Sequence, residues 1–506
     1  MYRLVSTKKR NGIFMDKKFT LIIFTVVIFS GFFLRFYNLS WETYGYGEVE
    51  IKQAADEYVK GNFVNNYYIF DTPPLGKYMF AMSIAIFWDS EFSMRIVPLI
   101  FGMLTIISVF YVTQKVYDIK ISILATVITA FSILQIQFSR YAQLETILSF
   151  FYVLTFYFLW KVVNNRGKYS SYLLGITLGL SVAIKFTSVI IVFAVILYAI
   201  YSKHIKFSRK SEFFLSIKSW ILKALFISIV VLLVSWPFGF FSLHTTAEIS
   251  VDYGNITRVQ NVDTNIPIIL LSFGRRVFSS VGSDVAYPLV MKIPVANYLV
   301  LYLTKEILLT LIFFILGLYF MLKYPLKQDK IVFIFVLTFL ILLSFQRTNI
   351  SYRHIVPMVP FFSIIASRWI TKVKNLKHTA IIILVISVIL FSYAAFSGPS
   401  YALSYSQLKN TLGISDSEAR FSEGMSETIK YIQENCTGVY AGDYYRFMVE
   451  PYYKNVSSSS DFSADCAIKG NIKEKDEVKG YIENKNCTIA KTITKNSIEL
   501  IKIYSC

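Results

Sequence analysis

From Phe19 onward the chain alternates between long apolar runs and polar intervals. Apolar runs lie near 19–37, 96–116, 121–138, 145–162, 170–184, 187–202, 219–236, 307–322, 331–346, 354–370 and 379–397. A helix of about 17–25 apolar residues can cross a bilayer, so the pattern predicts an α-helical polytopic membrane protein with about eleven transmembrane helices. The run near 76–88 is too short to span and predicts a helix lying at the interface. The first run is long, has no small-residue cleavage site and is followed by more spans, so it is expected to stay as a span rather than be removed as a signal. Three polar intervals exceed simple connections: 38–95, 237–305 and everything after 397. In the last, the stretches GVYAGDYY and NSIELIKIYSC alternate as strands do and predict a small α/β domain. The expected organisation is a membrane domain over 1–397 and a C-terminal domain over 398–506.

Charge adds an orientation. Lys8, Lys9, Arg10, Lys17 and Lys18 precede the first run, and every second loop is basic: 115–120, 161–168, 203–218, 323–330 and 368–377. By the positive-inside rule these lie in the cytoplasm, which places the N-terminus inside and everything after Phe396 outside. The formal charge of +19 is thereby accounted for without a nucleic acid. Only 16% of residues are charged, against about a quarter in soluble domains, which excludes that class. All four cysteines, Cys436, Cys466, Cys487 and Cys506, lie in the final segment, where an oxidising compartment would pair them. Three pairings are open. The sequons at Asn38, Asn255, Asn349, Asn435, Asn455 and Asn486 all fall on the same outer side, which suits a glycoprotein of the cell membrane or its equivalent.

Candidate chemistry collects at that outer rim. Glu48 and Glu50 follow the first span, Arg140 and Glu145 lie in SRYAQLE, Lys185 in VAIKFTS, and Arg353 and His354 open SYRHIVPMVP. Charge at membrane depth is costly and usually kept for function. The plain alternative is a set of interfacial anchors or mutual ion pairs. Read chemically, a carboxylate can take a proton from an acceptor hydroxyl, and arginine and lysine can hold a phosphate leaving group. Together they describe transfer from a phosphate-linked donor, and at membrane depth that donor is a lipid phosphate. There is no Walker loop, no GxGxxG after a strand, and no cysteine–histidine metal spacing.

The order of several segments is specific. Glu48 is followed by Lys60-Gly61, then by Phe70-Asp71-Thr72-Pro73-Pro74-Leu75-Gly76-Lys77. Arg95, FGMLTIISVFY, SRYAQLE, GLSVAIKFTS, VPMVP and GPSYALSYSQLKNTLG come after it. Over roughly 15–415 this resembles the dolichyl-phosphate-mannose protein mannosyltransferase family. It is more loosely similar to the bacterial lipid A aminoarabinose transferases; both are C-type glycosyltransferases (GT-C). The resemblance implies a GT-C fold with an extracytoplasmic catalytic loop at 38–95. It implies an inverting transferase that moves a mannose-like sugar from a polyprenyl or dolichyl phosphate to a protein or glycan acceptor. Glu48 or Glu50 would be the base, and Arg140, Lys185, Arg353 and His354 would hold the donor phosphate. Asp71, Glu145 and Lys77 would orient the acceptor or the loop. The family's aspartate–glutamate pair is here Gly47-Glu48, so Glu48 keeps the family position beside a glycine that lets the backbone bend. Glu145 replaces an aspartate, the histidine before Pro-Pro is absent, and 237–305 is too short for the sugar-binding domain inserted there in some members. No soluble cofactor is required, although a divalent metal between carboxylates and phosphate is allowed, since hard cations favour oxygen. The rival readings are a transferase acting on a lipid or lipid-linked glycan, and a polyprenyl-lipid transporter. Sequence leaves the oligomeric state open.

Overall fold

The computed structural model describes residues 17–40, 43–63, 72–202, 218–241, 245–253, 256–264, 298–299, 302, 306–344, 352–373, 375–404, 425–441, 448–458, 464–470, 476–495 and 498–506. In chain order the helices of the first half are α1 (Lys17–Phe36), α2 (Tyr46–Val59), α3 (Leu75–Phe87), α4 (Glu91–Val116), α5 (Ile119–Phe131), α6 (Ile133–Phe138), α7 (Glu145–Val163), α8 (Ser170–Ile184), α9 (Val189–Tyr201), α10 (Ser219–Ser235) and α11 (Pro237–Phe241). A hairpin of β1 (Thr245–Tyr253) and β2 (Ile256–Thr264) follows. Then come α12 (Leu308–Lys323), α13 (Asp329–Ser344), α14 (Val359–Ala366) and α15 (Leu376–Ser404). Short 3-10 turns at Phe186–Ser188, Tyr352–Met358 and Arg368–Lys372 join neighbouring helices.

Local signals start these helices. Asp118 accepts the amides of Lys120 and Ile121 to open α5, and Ser90 accepts Ser93 N–H to open α4, satisfying donors that a helix start leaves orphaned. The run expected as one span over 121–138 is broken at Ser132, whose hydroxyl caps α6 through Gln135 N–H. The buried carboxylate of Glu306 accepts from Ser132 Oγ and, at 3.3 Å, from the amides of Ile133 and Leu134. Sequence pattern does not show this break, because the apolar run is continuous across it.

Among the described residues three helical segments, Glu91–Val116, Glu145–Val163 and Arg353–Lys372, are long and apolar enough to cross a membrane, and shorter apolar helices accompany them. Large side chains such as Phe29, Phe226, Val234 and Leu322 point outward from the body. An exposed apolar surface of that extent belongs against lipid. The helices pack closely where small residues allow it. A Cβ on Gly175 or Gly179 of α8 would stand 2.6 Å and 2.7 Å from the carbonyls of Ala224 and Ser228 on α10. Such backbone proximity is the usual basis of helix association in lipid.

The C-terminal part forms a five-stranded sheet in the order β4 (Val456–Ser457), β3 (Val439–Ala441), β5 (Cys466–Gly470), β7 (Ile498–Ser505), β6 (Thr488–Lys495). The first three strands are parallel and the last two pairings antiparallel. The helices α16 (Met425–Asn435) and α17 (Asp476–Asn484) accompany it. The disulfides are Cys436–Cys466 and Cys487–Cys506, so sheet register selects one of the three pairings. Cys436 lies just before β3, beside β5, and Cys487 just before β6, beside the end of β7.

This unit rests on the first loop. Tyr452 Oη accepts Tyr44 N–H at 3.0 Å and donates to Glu91 Oε1 at 2.7 Å, while Thr43 N–H donates to Ser426 Oγ at 3.1 Å. Tyr452→Phe removes both bonds of the hydroxyl and leaves a partly buried amide unpaired, at about 1–3 kcal/mol. Hydrogen exchange at Thr43 to Gly45 is therefore expected to quicken about tenfold or more, with the sheet's own protection unchanged. Unchanged exchange at these amides would show that the sheet sits on the loop without holding it.

Candidate active site

The first loop is fixed by Glu48. Gly45 is the N-cap of α2, and Glu48, in the third helical position, reaches back to Gly45 N–H at 2.9 Å, as a capping-box glutamate does. The same carboxylate accepts Arg95 Nε and Nη2, each at 2.9 Å, and Ala142 N–H at 2.8 Å. Arg95 also donates to the carbonyls of Leu39 and Thr43. Glu48 is 1% exposed and Arg95 2%. Four donors fill the roughly four acceptor positions of a carboxylate. Glu48 thus ties three pieces together: the first loop, α4 and the loop before α7. Glu50 is half-buried and has its own partner, on a different face of α2. Lys77 is buried and donates to the Thr72 carbonyl at 3.1 Å. Asp71 lies outside the described residues.

The second loop, Ser139 to Glu145, is held by its arginine. Arg140 Nη1 donates to the carbonyls of Leu34, Arg35 and Tyr37, and Nη2 to that of Asn38. These are the carbonyls a helix end leaves open, and Asn38 closes α1 with φ 53°, a left-handed position that asparagine tolerates. Arg35, also buried, donates to Ser139 Oγ and to the carbonyls of Gly31 and Ala130. Neither arginine meets a carboxylate among the described residues, so both leave positive potential at this end of the bundle.

Gln143 and Arg353 lie beside Gly47, and Arg353 joins them to Glu145 and Lys185. Glu145 is the first residue of α7 and is 1% exposed. Its Oε1 accepts Lys185 Nζ at 2.6 Å, while its buried Oε2 has no hydrogen-bond partner. Lys185 stands at the break between α8 and the 3-10 turn Phe186–Ser188. Ser188 of that turn accepts Tyr152 Oη at 3.0 Å. Arg353 lies within electrostatic reach of Glu145, and its Nη1 would be 3.6 Å from a Cβ on Gly47. His354, next in the chain, is half-buried and partnered. The turn carrying both is anchored by Gln135 Nε2, which donates to Val356 O at 2.9 Å and to Ser149 Oγ at 3.0 Å. The expected rim set therefore divides. Glu145, Lys185 and Arg353 converge, whereas Glu48 and Arg140 brace the loops around them. Part of the plain alternative, mutual ion pairing, is present as Glu145–Lys185 and Glu48–Arg95.

No group of three or more His, Cys, Asp or Glu suited to a metal ion occurs among the described residues. Of the two buried carboxylates here, Glu48 is filled by four donors and Glu145 holds Lys185 through one oxygen.

Residues 71–236 match the family model described as dolichyl-phosphate-mannose-protein mannosyltransferase. Over nearly its whole length the chain also has the fold of two solved enzymes. ArnT from Cupriavidus metallidurans, solved bound to undecaprenyl phosphate, superposes with a TM-score of 0.55 at 11% identity, covering 97% of this chain and 98% of that one. The Archaeoglobus fulgidus oligosaccharyltransferase in its apo form superposes with a TM-score of 0.56 at 13% identity, covering 94% and 70%. The same archaeal enzyme in complex with Zn and sulfate gives 0.53 at 13% identity, covering 86% and 62%. No curated protein sequence matches the chain. The family model covers about a third of the chain, and the structural matches show the fold it shares with these enzymes.

One residue of the cluster is not evident from the sequence. Gln143 is uncharged, and in SRYAQLE it reads as a spacer between Arg140 and Glu145. The signal that could have found it is its neighbourhood: a polar residue two places before a candidate carboxylate, in a loop already marked by Arg140 and Glu145.

Proposed function

We propose that the protein is an inverting glycosyltransferase that moves a sugar from a polyprenyl phosphate to a hydroxyl of a protein or glycan at the outer face of the membrane. The observation that carries this reading is the buried Glu145 carboxylate, with one oxygen held by Lys185 and the other without a hydrogen-bond partner, beside Arg353. The acceptor oxygen attacks the anomeric carbon as the bond from that carbon to the phosphate oxygen breaks. Glu145 Oε2 takes the acceptor's proton, and the departing polyprenyl phosphate keeps the bonding electron pair. Lys185 and Arg353, with His354 beside them, stabilise the growing phosphate charge. As Glu145 becomes neutral, its attraction for Lys185 fades and the lysine's charge is redirected to the leaving group. Arg35 and Arg140 add positive potential without contacting it, as low-dielectric surroundings allow. Glu48, engaged by four donors, acts as a strut, and Glu50 is the comparison residue for the base.

The test uses the full-length protein in detergent with polyprenyl phosphates carrying mannose, glucose or galactose, and a pool of secreted proteins and glycans as acceptors. Release of polyprenyl phosphate with no membrane gradient is the expected result. No release from any donor would remove the transferase reading and favour a transporter. The outer placement has its own measurement. Protease added to intact cells is expected to trim the chain beyond Phe396 and spare a tag placed before Lys8; the reverse pattern would invert the topology.

A further inference from the structure

We infer that the side-chain amide of Gln143 contacts hydroxyls of the transferred sugar, in the space that Gly47 leaves open; this rests on the donor reading above. Gln143 is 8% exposed. Its side chain makes no hydrogen bond with any described residue, although the loop that carries it is tightly held. Its own N–H closes onto Tyr141 O at 2.7 Å. Ala142 N–H before it is bound by Glu48, and Glu145 after it is bound by Lys185. The aim of Gln143 is thus set by backbone fixed on both sides. A Cβ on Gly47 would overlap its Nε2, with Cδ at 3.4 Å and Arg353 Nη1 at 3.6 Å. The amide therefore occupies the place that a side chain at 47 would take, against the proposed phosphate clamp.

A primary amide offers two donors and two acceptor positions. An amide with no protein partner in a largely buried residue normally finds a ligand or water. Two unpartnered polar groups, this amide and Glu145 Oε2, lie two residues apart in one loop. The anomeric carbon is one bond from the phosphate oxygen, so a group this close to the clamp meets the sugar ring. Adjacent ring hydroxyls each present a donor and an acceptor, and an amide can bond two of them at once. An epimer that turns one hydroxyl away leaves the buried amide half-paired, and a buried polar group discriminates in this way more strongly than an apolar wall does.

The same chemistry could face a glycan acceptor, and the experiment separates the two sources. Wild type, Gln143→Leu, Gly47→Ala and the double variant are assayed in detergent with mannosyl, glucosyl and galactosyl polyprenyl phosphates. Binding of sugar-free polyprenyl phosphate is measured alongside. For the preferred donor, Gln143→Leu is expected to lower kcat/KM by about tenfold for each bond lost, and to flatten the ratio between epimeric donors by the same factor. Affinity for sugar-free polyprenyl phosphate should stay unchanged. Gly47→Ala pushes the amide aside and should reproduce the flattening, and the double variant should fall no further than either single one. Leucine is close to glutamine in volume; if that variant fails to fold, Gly47→Ala carries the test. An epimer ratio that stays put in an active protein would overturn the inference alone, as would equal loss of sugar-free lipid binding or a change confined to the acceptor's KM. A wild type that uses no donor would remove the donor reading and this inference with it.

Discussion

Glu145→Gln is expected to lower turnover by about 10²–10⁴-fold, the usual range for loss of a general base, while the Kd for sugar-free polyprenyl phosphate changes little. The amide keeps the shape of the carboxylate and can still accept from Lys185 through its oxygen. It cannot take the acceptor's proton at Oε2. Because Lys185 then lacks a carboxylate at 2.6 Å, its charge becomes more available to a phosphate, so donor affinity should hold or rise. That split between turnover and affinity distinguishes a base from a residue that merely keeps the fold. Glu145→Asp retains the charge one methylene further back and should recover part of the rate. Glu50→Gln is the control. If it carries the large loss instead, with Glu145→Gln near wild type, proton transfer belongs to α2 and Glu145 is only the partner of Lys185.

The second large effect is on stability. Glu48→Gln leaves the Arg95 guanidinium buried without an anion and turns one carboxylate oxygen, which accepts two of the four bonds, into an NH₂ facing donors. Breaking a buried pair from one side typically costs about 3–5 kcal/mol. The variant should melt well below wild type, and the molecules that remain folded should keep near-normal kcat per active site. Arg95→Ala should lower stability similarly. Arg95→Met combined with Glu48→Leu, which removes both charges, should recover part of the loss, since replacing both partners by apolar groups can be nearly neutral. A Glu48→Gln protein with unchanged melting and a turnover loss above 10²-fold would return Glu48 to the role of base.

Comparison of individual elements shows why some features were legible in the chain and others were not. The apolar runs appear as helices close to their expected places: 145–162 as Glu145–Val163, 170–184 as Ser170–Ile184 and 219–236 as Ser219–Ser235. Length and hydropathy are local properties, and lipid imposes internal hydrogen bonding on any such run. The strands around GVYAGDYY and NSIELIKIYSC were visible because strand period and β-branched content are local too. Helix α4 begins at Glu91, ahead of the apolar run at 96, because Ser90 supplies a cap that hydropathy does not register.

The candidate site was legible as a roster of charged residues at one end of the bundle, because ionisable side chains are rare there. What each one does was not. Glu48 and Glu145 are both single glutamates near span ends, and no local pattern separates a carboxylate filled by four donors from one with an unpartnered oxygen. That difference depends on Arg95, 47 positions away from Glu48, and on Lys185, 40 positions away from Glu145. Arg140 likewise reads as a phosphate ligand until the carbonyls ending α1, over 100 residues earlier, are seen to receive it. By itself the sequence determined the helical class, two strand-bearing stretches of the C-terminal sheet and the end of the bundle where charge gathers, since these follow from composition and local periodicity. Only the tertiary structure decided the disulfide pairing, which charged residues pair with which partners, and the place of Gln143 beside Gly47. Those outcomes depend on which distant donors reach a given acceptor first, and hydrogen-bond and ion-pair partners are chosen by packing rather than by sequence neighbours.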